Sequence, residues 1–196
     1  MKNQFFKILL FGVATLVVSA CSSSSIEEET TNPTEIQYDI TPILSKFNGT
    51  GLVVTVTGNS VTFNTNNLPD HKSPYWPTNN ALYEAYNGTN TNFNLNPNRI
   101  SSQNISITVP LHPEEASNKQ PTSLGPIGVA VNGVVFYNQY AGPNNQALTF
   151  EINSFDQYLG HPQQFGQYHY DMEPMYLTNE FGNDAFLGLL ADGFPV

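Results

Sequence analysis

The sequence predicts a mainly β fold: a single antiparallel sandwich-like or irregular β domain with long loops and little helix. Three observations carry this. Two hairpin signals, Gly58-Asn59 and Asn132-Gly133, each lie between strand-like runs. No long stretch keeps apolar residues at helical spacing. Charged side chains are few while Asn, Thr, Gly and Pro are abundant, a composition suited to a turn-rich domain outside the cytoplasm.

The chain divides into three parts. Residues 1–20 read as a leader: Lys2 and Lys7 precede the apolar run Ile8 to Val18, which is shorter than the ~20 residues a spanning helix needs. Val18-Ser19-Ala20-Cys21 resembles a bacterial lipobox, so Cys21, the only cysteine, is expected to carry the lipid. Once the leader is removed no free thiol remains, which excludes disulfides, thiolate metal sites and cysteine nucleophiles. Residues 21–35, with four serines and Glu27-Glu28-Glu29, hold almost nothing to bury and read as a disordered tether. They resemble the surface-export signal of some lipoproteins, and equally suit an ordinary linker. Residues 36–196 form the expected domain. Beyond residue 20 there are four basic against 16 acidic side chains, a net of −12. Such a surface repels phosphate, so nucleic acid is not an expected partner, and membrane attachment would rest on the lipid at Cys21. The expected location is the cell envelope, lipid-anchored at the outer membrane and either periplasmic or surface-exposed.

Within the domain, residues 52–57 and 60–65 alternate as the strands of the first hairpin. Three prolines between Leu68 and Pro77 forbid a central strand there. Residues 81–86 suit one helical turn, and the Asn-rich residues 87–98 a surface loop. Residues 104–109 alternate as a strand, and His112 sits in a polar turn expected to face solvent. Residues 127–131 and 134–137 are nearly continuous apolar runs around Asn132-Gly133 and should form the core. Residues 146–153 read as a strand with Leu148, Phe150 and Ile152 on one face, and 154–159 as a short helix or turn. Residues 185–191 form an apolar strand entering the turn Asp192-Gly193. Only three residues follow, so the terminus either tucks in as a stub or is a shortened version of a longer relative.

Four segments, Asp70-His71-Lys72-Ser73-Pro74-Tyr75, residues 125–133, Gly160-His161-Pro162 with Tyr168-His169-Tyr170, and Asp192-Gly193-Phe194-Pro195, together resemble the YHYH domain family of bacterial extracytoplasmic proteins. The fourth motif letter is histidine in that family and Asp171 here. Members generally continue past the segment at which this chain stops, so it is apparently C-terminally shortened. The family implies no settled reaction.

Chemistry-bearing side chains are densest between Gly160 and Glu173. In an extended segment Tyr168 and Tyr170 take one face, His169 and Asp171 the other. His169 and Asp171 are therefore a candidate ligand pair, with His161 and His71 as candidates to complete a site for one divalent transition metal: zinc, copper, manganese or iron. Carboxylate in place of histidine at position 171 moves the preference from copper toward the other three. Asp70, Lys72, Tyr168 and Tyr170 are candidate substrate contacts, and no catalytic residue is assigned. The alternative is a non-catalytic ligand-binding or interaction module in which Asp171 accepts a hydrogen bond from a buried histidine and the tyrosines pack. Tyr75 and Trp76 suit either core packing or a sugar-stacking surface.

Overall fold

The computed structural model describes residues 38–142 and 144–196. The expected leader, the lipid site at Cys21, the tether and the domain start at Ile36 lie outside the described residues.

Leu52–Thr57 (β1) and Ser60–Thr65 (β2) pair antiparallel as the alternation requires, with Thr57 opposite Ser60. Gly58 takes φ 58° at the first turn position, where the II′ hairpin turn demands a positive φ. Ile105–Pro110 (β3) pairs along the whole of β2, so residues 66–104 form an excursion between neighbouring strands. One face of β2 buries Val61, Phe63 and Thr65. The other holds the Thr62–Thr108 hydroxyl bond of 2.8 Å.

The second sheet is built from Gly128–Ala130 (β4) and Val135–Phe136 (β5). Every residue from Gly128 to Phe136 is buried, as expected of the core hairpin. Its loop has three residues rather than two: Ala130 N–H donates to Val134 O and Gly133 N–H to Ala130 O, each at 2.8 Å. Gly133, at φ 87°, takes the left-handed position that closes such a loop. Tyr140–Ala141 (β6) and Gln146–Ala147 (β7) pair as a separate two-stranded sheet. Gly160–Pro162 (β8), Tyr168–Tyr170 (β9), the helix Met175–Phe181 (α1) and Gly188–Leu190 (β10) follow. The sheet order is β10-β4-β5-β9-β8, antiparallel except for β5 and β9, which run parallel.

The core has two halves. Val61, Phe63 and Val109 of the first sheet pack with Val129 and Leu189 of the second. Ala130, Phe136, Tyr168 and Tyr170 pack with Tyr75, Trp76 and Ile100 from the excursion and Leu177 of α1. The second sheet is thus a middle layer covered on both faces, which explains why its strands lack polar alternation. Tyr75 and Trp76, 0% and 6% exposed, are core residues and not a stacking surface.

Four local expectations change. Residues 81–86 make no helical turn, because Leu82 O accepts from Ser73 N–H and Glu84 N–H donates to Ser73 O, which spends their backbone on the proline-rich loop. Only Gln146–Ala147 of the expected 146–153 strand is extended; Ile152 N–H turns back to Leu148 O, residues Glu151–Ser154 form a 3-10 helix, and Phe150 is 87% exposed. Helix α1 was not anticipated, although Pro174 before it and Gly182 after it are start and stop signals. The terminus tucks in as the stub: Val196 N–H donates to Gly188 O at 2.9 Å and Leu187 N–H to Val196 O at 2.7 Å. Among the described residues no helix is long and apolar enough to cross a membrane.

Candidate metal centre

The pairing of β8 with β9 makes the site. His161 lies directly opposite His169, while Gly160 faces Tyr170 and Pro162 faces Tyr168. Following partners across the sheet, Leu189, Val129, Val135, His169 and His161 form one row, apolar at one end and imidazole at the other. Period-two alternation turns Tyr168 and Tyr170 to the opposite face, as the sequence suggested.

At the polar end three ligand atoms converge. His161 Nε2 and His169 Nε2 are 3.0 Å apart, His169 Nε2 and Asp171 Oδ2 are 3.0 Å apart, and His161 Nε2 and Asp171 Oδ2 are 3.6 Å apart. All three side chains are at most 4% exposed. A tetrahedral ion with bonds of about 2.0–2.1 Å spaces its ligand atoms about 3.3 Å apart, so these separations match the edges of such a polyhedron.

The protons sit elsewhere. His169 Nδ1 lies 3.2 Å from the carbonyl of Gln167, which can only accept, so Nδ1 carries the hydrogen and Nε2 a lone pair. Ser154 Oγ donates to Glu151 O at 2.7 Å and therefore accepts from His161 Nδ1–H, also at 2.7 Å. Again Nε2 is left with a lone pair. Among the described residues Asp171 Oδ2 has no hydrogen-bond partner. Burial lowers the pKa of His161 below the ordinary histidine value, which opposes protonation of Nε2 to supply the missing donor. Three buried ligand atoms that face one another without a proton form a group that could hold a metal ion.

The surroundings fix the rings. Tyr137 stacks on His169 with centroids 3.9 Å apart, and Phe155 meets His161 edge-on at 4.8 Å. Burial, then the Asp171 charge, pushes the Tyr137 phenol up to about 12, so it is a neutral wall. A cleft of about 270 Å³ opens beside Tyr137 and Asp171. Glu151 Oε1 approaches His161 Nε2 at 3.4 Å, and its side chain is 32% exposed. A partly exposed glutamate is a carboxylate at neutral pH.

His71 is not brought to this group. Its Nδ1 donates to Lys72 O at 3.0 Å and its Nε2 accepts the Tyr170 hydroxyl at 3.1 Å, so neither nitrogen is free, and it lies among the tyrosines of the opposite face. Tyr168 and Tyr170, at most 1% exposed, have no surface to offer a substrate. The Tyr168 hydroxyl donates to Asp156 Oδ2, and that of Tyr170 accepts from Asn132. Asp70 accepts from Asn132 Nδ2 at 2.9 Å, and exposed Lys72 donates to Ala81 O. Both stand on the His71 side. His112 is half-buried, its Nδ1 3.1 Å from Tyr38 O, rather than free in solvent.

The geometry coincides with a family motif. Residues 106–196 match the YHYH protein family. The resemblance carried by the Tyr168-His169-Tyr170 and Asp192-Gly193-Phe194-Pro195 segments is borne out over this stretch. Both histidines and the aspartate of the trio lie within the YHYH segment, while His71 and the proline-rich loop lie before it. No curated protein and no solved structure matches the chain.

The sequence reading missed Glu151, Ser154 and the carbonyl of Gln167. Glu151 and Ser154 bracket one 3-10 turn, in which residues three apart eclipse. Their spacing was a usable signal, hidden because the segment alternated like a strand.

Proposed function

We propose that this protein is a lipid-anchored, extracytoplasmic metal-binding protein that holds one divalent transition ion through His161 Nε2, His169 Nε2 and Asp171 Oδ2. One observation carries the reading: three buried acceptor atoms converge at 3.0–3.6 Å while both histidine protons are committed to Ser154 and Gln167. Nitrogen with one hard oxygen suits zinc, manganese or iron better than copper. When bound, such an ion would supply Lewis acidity, and the chain itself orients both imidazoles and walls them with Tyr137 and Phe155. The anchor rests on Lys2, Lys7, the apolar run and Cys21, which together supply a leader and an acylation site. Loss of palmitate labelling in Cys21→Ser supports the anchor, and labelling that persists overturns it.

Protein purified without a histidine tag should contain stoichiometric metal, and calorimetry with zinc, copper and manganese should give at least micromolar affinity. If none binds, or if His161→Ala and His169→Ala bind as the wild type does, the His/Tyr cluster is structural and the protein is an interaction module instead.

A further inference from the structure

We infer that Glu151 is the fourth ligand of this centre and closes it to outside anions, an inference that rests on the metal-binding reading above. Three ligands leave one corner of a tetrahedron vacant. Glu151 Oε1 stands 3.4 Å from His161 Nε2, about one polyhedron edge away. Of the two imidazoles it touches only His161, and it stands outside the group of ligand atoms within 4.8 Å of one another, so coordination requires a rotation of its partly exposed side chain.

The turn that carries it is held firmly. Ser154 O accepts the hydroxyl of buried Tyr75, Asn153 O accepts Asn94 N–H at 2.7 Å, and Asn90 Nδ2 donates to Asn153 Oδ1 at 3.2 Å. Because residues 151 and 154 eclipse in a 3-10 turn, one turn faces both nitrogens of His161, with Ser154 bonded to Nδ1 and Glu151 Oε1 3.4 Å from Nε2. A position supported this way is prepared for coordination.

Charge gives the second argument. Two neutral imidazoles and one carboxylate leave a divalent ion at net +1 in a nearly dry site, which is costly and would recruit an anion. A second carboxylate brings the cluster to zero. The set His161, His169, Asp171 and Glu151 therefore selects a divalent ion and leaves no charge to attract hydroxide or azide.

Cobalt substitution tests this, because the visible bands of the ion change with coordination number and with azide ligation. The wild-type cobalt protein should not respond to azide. Glu151→Ala should bind cobalt and zinc about tenfold or more weakly, show altered bands and gain an azide-dependent spectrum. Ser154→Ala, acting only through the His161 tautomer, should weaken binding yet keep azide out. An azide response in the wild type as strong as in Glu151→Ala, or unchanged bands and affinity in that variant, removes Glu151 from the ligand set while the other three stand. Wild-type protein that takes up neither cobalt nor zinc overturns the centre and its fourth ligand together.

Discussion

His161 and His169 are cross-strand partners whose Nε2 lone pairs meet at 3.0 Å, each ring having given its proton to a group on the far side. Register supplies the proximity, and Ser154 and Gln167 supply the tautomers. With Asp171 Oδ2 added, acceptors face acceptors, and an unsatisfied buried group of this kind costs about 1–3 kcal/mol. On the proposed metal-binding function, fold stability and ion binding are linked at one point.

Metal should raise stability by mass action, by about 2.7 kcal/mol at one hundred times Kd, with the gain reversed by chelator. Asp171→Asn should do the opposite on both counts. Its amide can donate to His169 Nε2, so the metal-free variant should be about 1 kcal/mol more stable than wild type and gain little from zinc. Thermal unfolding with zinc and with chelator reads both effects. Equal zinc shifts in the two proteins count against the centre.

Stability without metal should fall as the solution turns acidic. Burial lowers the pKa of both His71 and His161 below the usual value near 6.5. A histidine depressed in the folded state binds its proton more readily when unfolded, so the unfolded chain gains as pH drops through about 6.5 and on toward the folded value. Urea midpoints at intervals from pH 8 to 5.5, with chelator present, should be flat at the alkaline end and decline below it. A midpoint that rises over this range contradicts the assignment of both rings as buried and neutral.

His71 should prove structural. Its ring fills a space bordered by Tyr158, Tyr176, Tyr168 and Tyr170, at centroid distances of 4.7, 4.8, 5.6 and 6.2 Å. His71→Ala removes that packing and strands the Tyr170 hydroxyl, a loss of about 2–4 kcal/mol, while zinc affinity should stay within about threefold. A loss of affinity as large as that of His161→Ala would return His71 to the site.

Much of this was legible in the sequence because it depends on period and turn chemistry. The Gly58-Asn59 and Asn132-Gly133 signals located both hairpins, and alternation through Tyr168 to Asp171 separated the histidine face from the tyrosine face. What was not legible depends on contacts far along the chain. Asn90 and Asn94, in a segment that reads as surface loop, pull residues 151–154 out of strand geometry, and with that turn come Glu151 and Ser154. His71 was misplaced because ligand type gives no clue to which face of a sheet a distant loop covers. The pairing of β5 with β9, which sets the two motif halves side by side, joins residues over thirty positions apart and leaves no local trace.

Phe165 should be improved upon by glycine. It occupies the third position of the turn Gln163–Gly166 at φ 67°, and its side chain is 82% exposed. A bulky residue pays about 1–2 kcal/mol for that left-handed conformation, partly offset by the chain entropy glycine gives up. Phe165→Gly should therefore stabilise the protein by up to about 1 kcal/mol in urea unfolding, with zinc affinity unchanged because Ser101 and Gln103 still hold the residue 165 carbonyl. Destabilisation would mean that the exposed ring has a contact the positive φ exists to serve.

Asp156, in the loop before β8, should be the most sensitive polar position bordering the second sheet. Its Oδ2 accepts from Ser73 Oγ at 2.6 Å and the Tyr168 hydroxyl at 2.9 Å, and its Oδ1 accepts from Tyr158 N–H at 2.9 Å and Gly160 N–H at 3.4 Å. One side chain thus ties the proline-rich loop, β9 and the entry to β8, with no ion partner at hydrogen-bond distance. Burial raises its pKa above the ordinary aspartate value, so much of its interaction energy goes to offset desolvation of the charge. Asp156→Asn removes that charge and keeps one acceptor oxygen, whereas Asp156→Ala abandons four donors at once. Alanine should cost about 3–5 kcal/mol and asparagine less than half as much. The register of His161 follows Gly160, so zinc affinity should fall in the alanine variant more than in the asparagine one. Urea unfolding ranks the stabilities and zinc calorimetry the affinities. If asparagine is as damaging as alanine, the negative charge itself is required, and the satisfied hydrogen bonds are not what holds the three segments together.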